Sequence, residues 1–204
     1  MESKTFFNLI HEAQTRLVNT PQDPFHDITH HYRVLENACH IMDVENLRSK
    51  VDPELVEVVC WWHDIYVSDA PKQGDERIVK TTARYVSGKL PSKLSHIVFD
   101  AIGHHEFGDS PESLEGKILQ DADKLEVISC ERVGPTVSLL HAGLISQEKV
   151  YILLDILENT FLPNMQERYH FESSRQKHVL KLPAFNETMS NLKTRLSTEF
   201  NMTF

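Results

Sequence analysis

Asp52-Pro53-Glu54-Leu55-Val56-Glu57-Val58-Val59-Cys60-Trp61-Trp62-His63-Asp64 is the stretch that decides the fold. Asp followed by Pro marks a helix start. The carboxylate can cap free N–H groups, and Pro suits the first helical position, whose N–H has no helical partner anyway. Leu55, Val56, Val58, Val59, Trp61 and Trp62 then cover nearly the whole circumference. That pattern predicts a central buried helix, not a surface one. The helix runs into His63-Asp64. A hydrogen-bonded core histidine would account for His63 alone. It leaves Asp64 unexplained, because a buried carboxylate is costly unless paired or metal-bound.

The rest of the chain reads as helical too. There are only 7 glycines in 204 residues and no alternating apolar and polar runs, which predicts an all-α protein. A first helix is expected over 3–18, with Phe6, Phe7, Ile10, Ala13 and Leu17 on one stripe, broken by Thr20-Pro21-Gln22-Asp23-Pro24. A second is expected over 27–42 with Asp27 as its cap. Beyond the central helix come a polar loop at 67–75, a helix over 76–87, another from Pro91 to His105 or Phe107, and one starting at Ser110-Pro111 that carries Ile118, Leu119, Ala122, Leu125 and Ile128. Two more are expected near 147–159 and 172–200, split by Pro163 and with a bend at Pro183. No repeat or linker divides the chain, so residues 1–204 are expected to form one helical bundle domain. Its motif-bearing core spans about 23–130, and the helices of 131–204 are expected to pack on it.

Composition narrows the classes. A hydrophobic share of 40% and a charged share of 25% are those of an ordinary globular protein. A net charge of -9 argues against general nucleic-acid binding. It leaves an anionic small molecule open, since a metal and a few local cations can make one pocket positive. No apolar run approaches the roughly 18 residues of a membrane span, and Met1-Glu2-Ser3-Lys4-Thr5-Phe6-Phe7 has no signal-peptide pattern. Cys39, Cys60 and Cys130 sit in apolar stretches and read as reduced thiols, so a cytoplasmic location is expected.

Two other strings share the chemistry of His63-Asp64: His26-Asp27-Ile28-Thr29-His30-His31-Tyr32-Arg33-Val34 and Asp121-Ala122-Asp123-Lys124-Leu125. Two imidazoles and two carboxylates can hold one divalent cation and leave positions for water and a substrate oxygen. That is the makings of a metal hydrolase. His63 and Asp64 diverge by roughly 100° on a regular helix, so one ion takes both only near the helix end. Asp121 and Asp123 face opposite sides, so one of them should reach the ion. His26 and His30 at i,i+4 form an alternative two-histidine clip. Mixed nitrogen and oxygen ligands suit Mn, Fe, Co, Ni or Zn, and with open sites also Mg. Lys124 and Arg33 are candidates for a phosphate, with a plain salt bridge the competing role for each. The Trp61-Trp62 pair is read as core packing in preference to a base-stacking platform.

Taken together, these strings resemble the HD superfamily of metal-dependent phosphohydrolases, in particular its small stand-alone members. The resemblance implies an HD-type helical bundle with His30, His63, Asp64 and Asp123 as ligands and His26 and Asp27 flanking the site. Asp121 would stand behind the ligands. It favours Mn2+ or Mg2+. His105, in Ala101-Ile102-Gly103-His104-His105-Glu106-Phe107, matches a family histidine that could bind phosphate, act as general acid or hold a second metal; His104 is the fallback if the register shifts by one. One departure stands out. Several relatives carry a Glu within one turn of the His-Asp pair, where this chain has Ile65-Tyr66-Val67-Ser68. Asp69, Asp75 and Glu76 from the loop are the candidate substitutes as base. The implied function is hydrolysis of a phosphoester or phosphoanhydride bond in a small phosphorylated metabolite, with a nucleotide as first choice and metal-bound water as nucleophile. The competing readings are an HD-type di-iron oxygenase and a non-catalytic nucleotide-sensing module. Oligomeric state is left open, a homodimer being one option.

Overall fold

The structure is a computed structural model that describes residues 2–20, 24–67 and 77–204. Among these the regular elements are all helical, as expected. The chain groups into two compact units, 1–123 and 124–204.

In the first unit the helices are α1 (Glu2–Asn19), α2 (Ile28–Val44), α3 (Pro53–Trp62), α4 (Ile78–Ser87) and α5 (Ser92–Gly103). Helix α6 (Leu114–Val127) begins here and carries the division between the units. Helix α3 is the centre, packed on α1, α2 and α5, while α4 lies against α5. Its start follows the sequence: Asp52 accepts from the N–H groups of Glu54 and Leu55, with Pro53 at the first helical position. Leu55, Val56, Val58, Val59, Cys60, Trp61 and Trp62 are all buried. Each such aliphatic side chain stabilises the fold by about 1.5–3 kcal/mol relative to exposure. Trp62 donates its indole N–H to the Leu9 carbonyl at 3.0 Å and Trp61 stays in the core, the packing role expected for the pair.

Several expectations shift. The buried stripe of α1 is Phe6, Leu9, Ala13 and Leu17; Phe7, placed on it from sequence, is 69% exposed. Spacings of three and four fit one helix face better than the adjacent pair Phe6-Phe7. Helix α5 ends at Gly103, short of His105, because His104 leaves helical geometry (φ -130°, ψ 24°). Helix α6 starts at Leu114, not at Ser110-Pro111. Asp100 accepts from the N–H groups of Glu112 and Ser113, and the Ser113 hydroxyl accepts from Gly116 at 3.1 Å. That capping arrangement sets the start.

The second unit holds α7 (Cys130–Val133), α8 (Thr136–His141), α9 (Gln147–Ile156), a widened π turn (Leu157–Phe161), α10 (Leu162–Met165) and α11 (Glu172–Phe200). The break expected at Pro163 falls later, at the extended Tyr169, because Pro163 sits in the first turn of α10, where it is tolerated. Helix α11 packs on α7 and α8, with Phe185, Met189, Leu192 and Leu196 buried and Pro183 inside it. Among the described residues no helix is long and apolar enough to cross a membrane, and the three cysteines are free thiols.

Gly116 lies in close approach to Pro111, Ser113 and Ala101. A Cβ there would lie 2.7 Å from Pro111 Cβ, 2.9 Å from Ser113 Oγ and 3.1 Å from Ala101 Cα. Gly116→Ala should therefore cost about 1–3 kcal/mol through overpacking. Gly103→Ala is the control. Its added Cβ meets nothing closer than 3.7 Å, so its melting temperature should match or exceed that of the parent. Thermal denaturation of both variants checks this; equal melting temperatures would contradict the packing.

Candidate metal centre

His63 comes one residue after α3 ends. The Cys60 carbonyl, three residues back, belongs to the last turn, whose carbonyls have no following helix to donate to them. The His63 Nδ1–H donates to it at 2.9 Å. A carbonyl has no proton to give, so this bond places the ring proton on Nδ1 and leaves the Nε2 lone pair facing inward. Helix α2 supplies His30, which is fully buried. Asp27 caps that helix, accepting from the N–H groups of Thr29 and His30. Helix α6 supplies Asp123.

These side chains converge. Nε2 of His30 lies 3.1 Å from Nε2 of His63. Asp64 Oδ2 stands 3.4 Å from His30 Nε2 and 3.3 Å from His63 Nε2. Asp123 Oδ1 is 3.6 and 3.8 Å from the same two nitrogens. One ligand atom from each of the four residues lies within 4.8 Å of all the others. Two imidazole nitrogens that close repel unless a proton or a cation stands between them. Ligands bound at about 2.0–2.2 Å to one ion sit roughly 3–3.5 Å apart, so the observed separations fit a shared divalent cation. Two carboxylates balance its charge, and the mixed donor set suits a borderline or hard ion.

The sequence model of the HD domain matches residues 27–128. The chain belongs to the HD-domain family. Among solved structures, a predicted HD superfamily hydrolase from an uncultured Thermotogales bacterium is 26% identical, with 92% of this chain and 89% of that one covered at a TM-score of 0.60. Bacillus subtilis YpgQ in complex with ADP is 20% identical, with 96% of each chain covered and a TM-score of 0.56. At that identity the likeness speaks for the fold. No curated protein sequence matches.

Around the HD cluster, the structure distributes the other sequence candidates unevenly. His105 is brought in. Its Nδ1 donates to the Ile102 carbonyl at 2.8 Å, again three residues back at a helix end, and its Nε2 faces Asp64 Oδ1 at 3.3 Å. His26 Nε2 lies 3.7 Å from Asp64 Oδ2, at the edge of the cluster. His104 turns away to Asp100, at 3.3 Å. Asp121 is buried on α6 outside the converging set. Arg33 is half-buried and donates to Thr29 Oγ1 at 3.1 Å. Lys124 is buried and donates to the Arg168 carbonyl at 3.4 Å. Asp69, Asp75 and Glu76 lie outside the described residues.

Sequence reasoning passed over three polar side chains. His31 is buried, stacks on Trp61 with ring centroids 6.2 Å apart, and donates from Nδ1 to the same Cys60 carbonyl at 3.0 Å. Its Nε2 has no hydrogen-bond partner among the described residues. Burial, aided by the nearby charges of His63 and His30, pushes its pKa well below the usual imidazole value. The signal was available, since His31 lies one turn before Val34 on the buried stripe of α2. Asn37, also on that face, donates to the Ala122 carbonyl at 3.0 Å and so ties α2 to the backbone beside Asp123. Gln120 is the third.

Asp64 and His105 polarise one another. Burial pushes the Asp64 carboxyl up, but in the metal-free chain the imidazoles of His63, His105 and His30 around it outweigh burial and hold the group well below the usual range. Burial pulls His105 down, yet its bond to Asp64 and the charges of Asp64 and Asp123 raise it to about 9 from 6.5. A raised imidazole pKa stabilises the fold fully below its unfolded value and loses that contribution as pH rises through its folded value. In metal-free protein the His105 contribution should thus be complete below pH 6.5 and fade as pH rises through about 9. NMR titration of the ring checks it, and Asp64→Asn should lower the midpoint. A midpoint at or below 6.5 in the parent would contradict the pairing.

Proposed function

We propose that this HD-domain protein is a metal-dependent phosphohydrolase that cleaves a phosphoester or phosphoanhydride bond of a small phosphorylated metabolite, with a nucleotide as the preferred class. The observation that carries the reading is the convergence of His30, His63, Asp64 and Asp123 within 4.8 Å, with His105 on the free side of Asp64. A divalent ion such as Mn2+ or Mg2+ held by that set supplies a Lewis acid for a phosphoryl oxygen and acidifies water toward hydroxide at neutral pH.

The protein residues divide the remaining work. Asp64 and Asp123 cancel the charge of a divalent ion, so a protonated His105 makes the cluster net positive toward an anionic phosphate. His105 donates to Ile102 through Nδ1, which leaves its Nε2 proton for Asp64 or for a substrate oxygen. In hydrolysis, water gives up a proton to solvent as its oxygen bonds to phosphorus, the bond to the leaving oxygen breaks, and that oxygen takes up a proton. Its contact with Asp64 supports His105 as the donor for that step. His30 and His63 would offer their Nε2 lone pairs to the ion, and a proton at either atom would compete with it.

The preference for a nucleotide is supported by the ADP complex of Bacillus subtilis YpgQ. Hydrolysis is favoured over oxygen-dependent chemistry by the turn of His104 toward Asp100, which removes one histidine from any second metal.

The test is phosphate release over nucleotides and sugar phosphates with Mn2+, in H2(18)O and under anaerobic conditions. One solvent oxygen should enter the phosphate or phosphorylated product, and activity should persist without O2. Asp123→Ala should lose metal and turnover together. His105→Ala should keep the ion while kcat falls about 10^2- to 10^4-fold, the usual weight of a positioned proton donor. Activity that vanishes without O2 would overturn the hydrolase reading. Loss of one of two bound metals in His105→Ala would overturn the single-ion site.

A further inference from the structure

The segment after Gly103 has left the helix and has only a short turn of its own, Asp109 N–H to the Glu106 carbonyl at 3.1 Å, yet His105 within it is buried. Buried backbone groups need partners. Three of these carbonyls face one side chain. Gln120 Nε2 lies 3.3 Å from the His104 carbonyl, 3.1 Å from that of Glu106 and 3.0 Å from that of Asp109. An amide NH2 carries two hydrogens, so it serves the two nearer carbonyls and shares one hydrogen with the third. The His104 carbonyl belongs to the peptide entering His105; the Glu106 carbonyl lies one residue beyond it. Gly108, at φ 101°, allows the turn that brings the Asp109 carbonyl to the same amide.

Gln120 is 1% exposed and sits on α6 three residues before Asp123. On the outer side, Arg77 pairs with the carboxylates of Glu106 and Asp109. Those exposed ion pairs are screened and contribute little. The buried amide is the stronger clamp, because it serves three carbonyls at once, and without it that of Glu106 keeps the Asp109 N–H at 3.1 Å while those of His104 and Asp109 lose this donor.

We propose that Gln120 is a positioning residue: its buried amide grips the backbone on both sides of His105 and so sets where the His105 imidazole stands beside Asp64. The proposal rests on the hydrolase reading, in which His105 meets substrate. Helix α6 then carries Asp123 and the group that locates His105, which keeps the two in register through one rigid element.

Gln120→Met removes the donors with little change of shape. In protein labelled with 15N-histidine and loaded with Mg2+, this variant should shift or broaden the His105 ring signals and leave those of His30 and His63 in place. Arg77→Ala should leave all three unchanged. Turnover of Gln120→Met should fall roughly 10- to 100-fold, the scale of a misplaced catalytic group. In a His105→Ala background the same substitution should change turnover by less than about twofold, because two residues that act as a unit are not additive. If Gln120→Met does not fold, Gln120→Asn, which withdraws the amide by one methylene, gives the same readouts.

Unchanged His105 signals in the Gln120 variant, or an equal disturbance in Arg77→Ala, would overturn the proposal. So would an undiminished loss in the His105→Ala background. If His105→Ala itself turns over like the parent, the hydrolase role of His105 fails, while the ring signals still judge the placement by Gln120.

Discussion

Two helices stop just short of a histidine, and the carbonyls this leaves at their ends shape the site. Helix α3 ends before His63 and α5 ends two residues before His105. Each imidazole donates from Nδ1 to the carbonyl three residues back. The helix end thereby does what a carboxylate or carbonyl behind a metal-binding histidine does elsewhere: it fixes the tautomer and aims Nε2. A helix that ran on through His63 would consume the Cys60 carbonyl in its own ladder. The adjacent Asp64 would then point about 100° away from His63 on a regular turn. Ending the helix lets neighbours in sequence become neighbours at one point.

The rest of the first unit holds that point still. Asp27 caps the helix that brings His30. Asn37 ties α2 to the carbonyl beside Asp123, and Gln120 ties α6 to the segment of His105. Behind them lies the apolar body of α3, whose buried side chains anchor the helix that leads to His63 and Asp64. Asp64 shows the electrostatic side of the same design. One carboxylate oxygen faces the paired imidazoles of His30 and His63, and the other faces His105. A cluster that gathers histidines around two carboxylates is suited to one more cation, whatever the acidic balance of the chain.

Much of this was legible in the sequence. Asp52-Pro53, the apolar run and the terminal His-Asp identify α3 because cap chemistry, pattern and motif agree. His30, His63, Asp64 and Asp123 stood out because carboxylates and imidazoles in apolar helices need a reason, and the structure buries the two imidazoles fully and the two carboxylates in part. The gaps have physical causes. Helices α7 and α8, of 4 and 6 residues, are too short for a 3.6-residue period to show. The phase of α1 slipped by one position at Phe6-Phe7, where two identical residues offer no contrast. His31, Asn37 and Gln120 sit on buried stripes, where a polar residue looks like a flaw in the pattern until its partner across the fold is known. Those partners are backbone carbonyls, which leave no mark in a sequence.

The central claim is that one divalent cation sits among His30, His63, Asp64 and Asp123, and metal titration tests it most directly. Calorimetry of the metal-free chain with Mn2+ should give one ion per chain. Asp64→Ala should abolish that binding while circular dichroism shows the helices intact, since the variant loses a ligand and half of the neutralising charge but none of the apolar packing. Stoichiometric metal in a folded Asp64→Ala variant would contradict the account.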